Sequence, residues 1–461
     1  MKTIALFRAH LNRSLFPDAP EEQPASKGGY LLLLFGLLTL AILLQLLRLS
    51  WSTSLHSIWA EDGPIFLQGA LTHSLGDSLI SVYANYLVVV PRLIGEAATY
   101  VPLRDAPAAI SILSAGMVAL SGFVVWQASA AHIRNPYLRG MLALLTILVP
   151  VGSLESIDSA SYVSWYMLFA TFWVLLWRPR TMWAAALASL FVFAAALSNP
   201  GVWFFIPLAA LRGLAARDRR DIAIVSSFAL GAAIQMPVLA LNHEPAVEPL
   251  WTQDIWTIYL QRVLDGAAFG LRLGGHAWTT LGWPLLITLL LCAAAGLFAG
   301  IKRSSAPGRY LAAVAIPTSL LMFIVSVYQR AVGAQMIWPA DRSFGDGGRY
   351  AIVPALLLVS VALSLIDSSA RHDPRWRQRR LSPAGFVAVG LMAIAITTSF
   401  PAGNLAGRGE PPWDAALNNA ALTCATGHPT NVAIPTSPPG FGVEISCDRI
   451  VSGADAGAAR R

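Results

Sequence analysis

The sequence predicts an all-α polytopic membrane protein of about eleven transmembrane helices. Three observations carry that expectation. Apolar residues make up 56% of the 461 and charged residues only 12%, a balance foreign to soluble chains of this length. The apolar residues fall in long runs without period-two alternation, which argues for helices and against a membrane barrel. The basic residues are also distributed unevenly between the loops.

Residues 1–28 are polar, contain proline and hold no apolar run, so they read as a disordered cytoplasmic tail. With no secretory signal there, the first span is a retained anchor. The apolar runs lie at 30–49, 108–129, 139–152, 161–177, 182–197, 201–215, 222–241, 280–300, 310–328, 350–366 and 383–400. Several are shorter than the ~20 residues that cross a hydrocarbon core, which leaves their boundaries loose. Residues 29–400 thus form a transmembrane domain, and 401–461 a C-terminal extracytoplasmic segment.

With the N-terminus inside, the inner segments and span ends collect 20 of the 32 Lys and Arg but 7 of the 25 Asp and Glu. The inner side then carries +13 and the outer side −6, as the positive-inside rule requires. The overall charge of +7 therefore reports topology and needs no nucleic-acid partner. Runs such as Arg217-Asp218-Arg219-Arg220 and Arg375 to Arg380 read as anchors at an anionic leaflet.

The outer segments are 50–107, 242–279, 329–349 and the C-terminal tail. In the first, Ile65–Leu71 reads as a short amphipathic helix, and 83–98 as a helix lying in the interface. Pro91, Arg92 and Glu96 make the latter a poor full span. Trp51, Trp59, Tyr83, Tyr86 and Tyr100 suit headgroup depth. In the tail, Cys424 and Cys447 stand 23 residues apart on an oxidising side and read as a disulfide, with two free thiols as the alternative. Such a closure is worth roughly 3 kcal/mol in the chain-entropy model. Thr430–Pro435 and Val443–Ile445 suggest two short strands between them. Cys292 lies within a span.

The most informative feature is Glu61-Asp62, about a dozen residues beyond the first apolar run. Two adjacent carboxylates at a bilayer surface are costly to desolvate and do nothing for insertion. They need a role, a partner or water. The plainest role is to cap a helix whose first turn holds Pro64.

A long first outer loop with an acidic pair after the first span, followed by juxtamembrane helices, resembles the GT-C superfamily of glycosyltransferases. The likeness to bacterial membrane proteins of this type rests on Glu61-Asp62-Gly63-Pro64-Ile65-Phe66-Leu67, Asn85-Tyr86-Leu87 with Pro91-Arg92-Leu93, and Ser164-Trp165-Tyr166. Ser198-Asn199-Pro200 with Pro207, and Gly348-Arg349-Tyr350 with Pro354, extend it. The resemblance implies a polyprenyl-phosphate-linked sugar as donor and a cell-envelope glycan, glycolipid or glycoprotein as acceptor. It places the protein in a bacterial inner or plasma membrane, N-terminus cytoplasmic and C-terminus extracytoplasmic. Membrane lipids are its surroundings.

Transfer with inversion needs a base for the acceptor hydroxyl and cations for the departing phosphate. Asp62 is the first choice of base and Glu61 the second. Arg349 is the expected phosphate ligand, with Arg330 and Arg342 in its loop and Arg92 on the interfacial helix; forked guanidinium donors match phosphate oxygens. Arg349 reads equally as an interfacial anchor, and Arg92 as an i,i+4 partner of Glu96. Trp165 and Tyr166 can stack on a sugar ring or serve as ordinary interfacial aromatics. Glu155 and Asp158 read as solvated turn residues, with lining of the cleft as the alternative. His56, His73, His243 and His276 show no ligand spacing, and the Glu-Asp pair lacks an Asp-x-Asp arrangement. No obligatory metal is expected, though Mg²⁺ or Mn²⁺ can take oxygen ligands from water and phosphate.

Two other functions fit the composition: a non-catalytic assembly protein of the cell envelope, and a transporter or flippase of lipid-linked sugars. Convergence of Glu61, Asp62 and Arg349 on one place favours the transferase. A polar path reaching both faces favours transport.

Overall fold

A computed structural model describes residues 2–152, 154–242, 254–330, 347–372, 381–400 and 409–451, apart from 21–26. Helices dominate, and the described strands form two antiparallel hairpins. The helices are α1 (Lys2–Ser14), α2 (Lys27–Leu46), α3 (Trp51–His56), α4 (Gln68–Thr72), α5 (Leu75–Ile80) and α6 (Val89–Ala98). Then come α7 (Ala106–Ala128), α8 (Pro136–Ile147), α9 (Val163–Leu176), α10 (Met182–Ala196), α11 (Ile206–Ala215), α12 (Arg219–Leu241) and α13 (Ile255–Tyr259). The last are α14 (Gly266–Leu281), α15 (Trp283–Arg303), α16 (Ala306–Arg330), α17 (Arg349–His372), α18 (Pro383–Ser399) and α19 (Trp413–Gly427).

Five helical stretches are long and apolar enough to cross a membrane: Leu103–Ala131, Arg219–Leu241, Trp283–Arg303, Ala306–Gln329 and Arg349–Ala370. Six shorter apolar helices accompany them, so each expected apolar run coincides with a helix. The short ones have local causes. Asn135 accepts from the Tyr137 and Leu138 amides to open α8, and Thr181 and Ser382 cap α10 and α18 in the same way. Asn199-Pro200 closes the α10 segment, since the residue before proline avoids helical backbone.

The core is built on α9 and α17. Nearly every side chain of α9 is buried, including Phe169, Phe172 and Trp173, as expected of a helix apolar all round. Of the most apolar window, 83% is buried in α17 against 6% in α15, so α15 lies on the outside of the bundle. α16 packs along α17, α10 along α12, and α7 along α8 and α9.

Three segments differ from the sequence expectation. Residues 2–14 form an ordered helix, with Leu11, Leu15 and Phe16 buried against the bundle. Arg8 donates to the Ala216 carbonyl. A search for long apolar runs passes over so short an amphipathic helix. The helix expected over 83–98 begins only at Val89. Before it, β1 (Val82–Tyr83) and β2 (Tyr86–Leu87) pair through a tight turn at Ala84 (φ 50°) and Asn85 (φ 73°). Two positive φ values make this hairpin-type backbone. The segment 242–279, expected as a loop on the outer side, is helical over its described part. A π-turn at Leu260–Asp265 leads into α14, which breaks at Gly270 (φ 75°, ψ 172°).

The C-terminal unit comprises α19 and the hairpin β3 (Asn431–Thr436) with β4 (Phe441–Ser446). A Cys424–Cys447 disulfide joins them, with 5.5 Å between the Cα atoms. Both expected strands are present, and the free Cys292 is exposed on α15.

Candidate functional site

The acidic pair is held by backbone on one side and by the turn that precedes α9 on the other. Trp59 forms an isolated parallel bridge with Ser437. The Ala60 amide donates to the Ser437 carbonyl (2.5 Å) and the Ser437 amide to the Ile58 carbonyl (3.0 Å). This clamp fixes Ala60 at φ 44°, a left-handed conformation that a residue with a Cβ seldom adopts. A 3₁₀ turn, Ala60–Asp62, and a π-turn, Gly63–Leu67, follow at once. A Cβ on Gly63 would stand 3.0 Å from Val443 and 3.1 Å from Thr436, so the β3–β4 hairpin closes tightly against the turn.

Asp62 is 1% exposed, and both its oxygens are engaged. Oδ1 accepts from the Ser161 amide (3.0 Å) and Ser159 Oγ (3.2 Å), and Oδ2 from the Ala160 amide (3.1 Å). These donors lie in the turn that leads into α9, so Asp62 caps that helix from across the sequence. Burial pushes its carboxyl up to about 7, with the Glu61 charge adding to the rise and the three donors opposing it.

Glu61 is only half-buried. Its Oε1 accepts from Tyr83 Oη (3.0 Å) and its Oε2 from Ser161 Oγ (3.4 Å). Burial first, and then the Glu61 charge, hold the Tyr83 phenol above its usual range.

Arg349 opens α17 and reaches the same place. Nη1 donates to Glu155 Oε2 (2.9 Å) and Tyr162 Oη (3.3 Å), and Nη2 to Tyr350 Oη (3.3 Å). The guanidinium lies 5.4 Å and 4.9 Å from the Tyr162 and Tyr350 ring centroids. Trp165 meets Tyr350 edge-on at 5.4 Å and packs on the cluster of Trp59, Ala60 and Tyr162. Tyr162 lies within electrostatic reach of Glu155, Arg349, Glu61 and Asp62 together. Arg262, from the π-turn before α14, is within reach of Glu155.

Glu61, Asp62, Arg349 and Trp165 are therefore brought together, whereas Arg92 and Tyr166 are turned to other partners. Arg92 is buried, donating to the carbonyls of Ser81 (3.2 Å) and Ile65 (3.4 Å), with its guanidinium 5.9 Å from the Phe66 ring. It staples α6 to the first loop, neither pairing with Glu96 nor offering its fork to a ligand. Tyr166 is wholly buried with its hydroxyl on the Ser156 carbonyl (3.2 Å), so no ring face is open to a sugar. The Arg330 side chain and all of Arg342 lie outside the described residues.

Glu155 and Asp158 are not solvated turn residues. Each is 6% exposed, Glu155 on Arg349 and Asp158 accepting from Ser54 Oγ (2.7 Å). The signal that finds them is the one used for Glu61-Asp62: carboxylates between two apolar runs in a chain poor in charge. Tyr83, Tyr162 and Arg262 carried no comparable signal. Among the described residues no three His, Cys, Asp or Glu side chains are grouped as metal ligands.

Fold and site together define a multi-pass helical membrane protein with an acidic and arginine-containing centre beside its first loop. Comparison with protein-family models and with curated proteins finds no match to this chain.

Proposed function

We propose that the protein is a GT-C-like membrane glycosyltransferase. It moves a sugar from a polyprenyl phosphate to a cell-envelope glycan, glycolipid or glycoprotein on the extracytoplasmic face. The observation that carries this reading is the gathering of Glu61, Asp62, Glu155 and Arg349 around Tyr162.

In this mechanism the acceptor oxygen attacks the anomeric carbon while the bond to the donor phosphate breaks and its electron pair leaves on oxygen. The acceptor proton passes to a carboxylate. Glu61 takes that role in preference to Asp62, because Glu61 is half-exposed whereas both Asp62 oxygens are committed to the turn before α9. Asp62 is then a positioning residue. Arg349 meets the leaving phosphate, its guanidinium plane set by Glu155 and the two tyrosines. Half-buried Trp165 is the aromatic that can meet the sugar. These steps use the chain's own residues; Mg²⁺ or Mn²⁺ would add a Lewis acid at the phosphate.

The orientation has two supports. The basic residues crowd the loops at the other ends of the helices. The disulfide-bearing unit packs against the loop that presents Glu61, which suits an oxidising compartment. A cytoplasmic N-terminus and extracytoplasmic C-terminus follow.

One feature favours transport of lipid-linked sugars as a second reading. The broken segment around Gly270 carries buried Gln261, Arg262 and Asp265, and interrupted helices with buried polar groups are a mark of transporters.

The test is sugar transfer in membranes supplied with radiolabelled polyprenyl-phosphate sugars, comparing wild type with Glu61→Gln and Asp62→Asn. Glu61→Gln is expected to lower turnover at least about 100-fold at normal expression. Normal transfer by Glu61→Gln, with loss in a folded Asp62→Asn, would return the base to Asp62. Absence of transfer from every donor would move the assignment to assembly, or to transport where lipid-linked sugar crosses vesicles containing the protein.

A further inference from the structure

At the far end of α17 from Arg349, a cavity of about 1170 Å³ opens between α14, α15, α17 and α18. Its lining on α17 runs from Leu358, about 13 Å of helix from Arg349, to Ala370, roughly 30 Å away, and none of Glu61, Asp62, Glu155 or Arg349 lines it.

α15 closes on α17 at Gly300 and leaves room at Gly296. A Cβ on Gly300 would stand 3.1 Å from Leu365, whereas one on Gly296 would meet nothing within 4 Å. The walls are apolar, with Leu297 on α15, Val361 and Leu365 on α17, and Met392 on α18. At one end stand Lys302, Arg303 and Ser304, and no described acidic residue lines the space. The Lys302 ammonium lies 4.0 Å from the Phe298 ring centroid, and Arg303 is exposed.

This is an amphipathic site: a long apolar body with a cationic lip. Its volume exceeds the ~300–1,000 Å³ typical of compact ligands, which calls for an extended occupant. Beside a bilayer, apolar space open along α15 takes acyl chain, and a lip of two cations without a carboxylate selects an anion. The donor of the proposed transfer shares that chemistry, but its phosphate belongs at Arg349, at the opposite end of α17.

We propose that the cavity binds one anionic phospholipid, with its acyl chains between α15, α17 and α18 and its phosphate at Lys302 and Arg303. The proposal stands independently of the transferase reading.

The test follows the thermal midpoint of the full-length protein in phosphatidylcholine nanodiscs as phosphatidylglycerol is titrated in. A saturable rise with phosphatidylglycerol is expected. Replacing both cations, Lys302→Gln with Arg303→Gln, should weaken the apparent affinity about tenfold or more. Gly296→Leu fills the cavity where there is room, and should abolish the rise without lowering the midpoint in phosphatidylcholine alone. Three results would overturn the proposal: no rise in wild type, an unchanged rise in both variants, or displacement of phosphatidylglycerol by stoichiometric polyprenyl phosphate. No sugar enters the measurement, so its failure leaves the transferase proposal untouched.

Discussion

Neighbouring carboxylates at 61 and 62 occupy opposite environments. Asp62 is buried and keeps its proton to a higher pH in the fold than in the unfolded chain. The native state therefore binds more protons than the unfolded state between about pH 4 and 7, and this group's contribution to stability falls as pH rises through that window. The limiting slope for one proton is about 1.4 kcal/mol per pH unit. Thermal unfolding of wild type and Asp62→Asn from pH 4 to 8 checks this: the variant should lose that part of the decline. Arg349 and Glu155 form the second residue-scale case. Glu155 is 6% exposed, and removing it strands a guanidinium beside two aromatic rings. Glu155→Ala should cost about 3 kcal/mol, measured by denaturation in detergent. Arg349→Lys keeps the charge and loses the fork, so in a transfer assay it should behave more like a neutral substitution than like wild type.

Between elements, the first loop is held by contacts that allow little change. The Gln235 side chain of α12 accepts from the Leu87 amide and donates to the Leu87 carbonyl, both at 3.0 Å, and so occupies the edge of β2. Gln235→Leu leaves both backbone groups buried without partners and should cost roughly 2–4 kcal/mol, read by thermal unfolding. α6 lies against the turn that follows the acidic pair. A Cβ on Gly95 would stand 2.6 Å from the Phe66 carbonyl oxygen, which belongs to backbone and cannot swing aside. Gly95→Ala should therefore destabilise by about 1–3 kcal/mol despite its better helix propensity. Accelerated amide exchange over 61–67 would show that the damage reaches the acidic pair.

Across the whole molecule, the C-terminal unit and the first loop meet through contacts that span most of the chain. Trp413 Nε1 donates to the Leu103 carbonyl (2.9 Å), the Glu444 amide to Gln68 Oε1 (3.2 Å), and Arg449 to the Leu71 carbonyl (3.0 Å). Together with the Ser437 clamp they make the disulfide-bearing hairpin a support for Ala60 and Glu61. Replacing Cys424 and Cys447 by serine should lower stability by about 3 kcal/mol. It should also loosen amide protection at 58–63 before the helices unfold.

The sequence by itself determined the helical membrane class, the positions of the apolar helices, and the cysteine pair with its two strands. Each of these follows from local composition and short-range pattern. It also singled out Glu61, Asp62 and Arg349, because charges are costly beside a bilayer wherever the chain takes them. Only the tertiary structure decided what those charges meet. Asp62 is buried because the turn at 159–161 folds over it, and Glu61 stays half-open, its oxygens meeting the hydroxyls of Tyr83 and Ser161. Arg92 turns to carbonyls, Tyr166 disappears into the core, and Glu155 finds Arg349 at 2.9 Å. α1 is ordered by packing that no run of its own residues announces. Local pattern fixes which segments become helices, while the partner of a polar side chain depends on which distant segment the packed helices bring beside it.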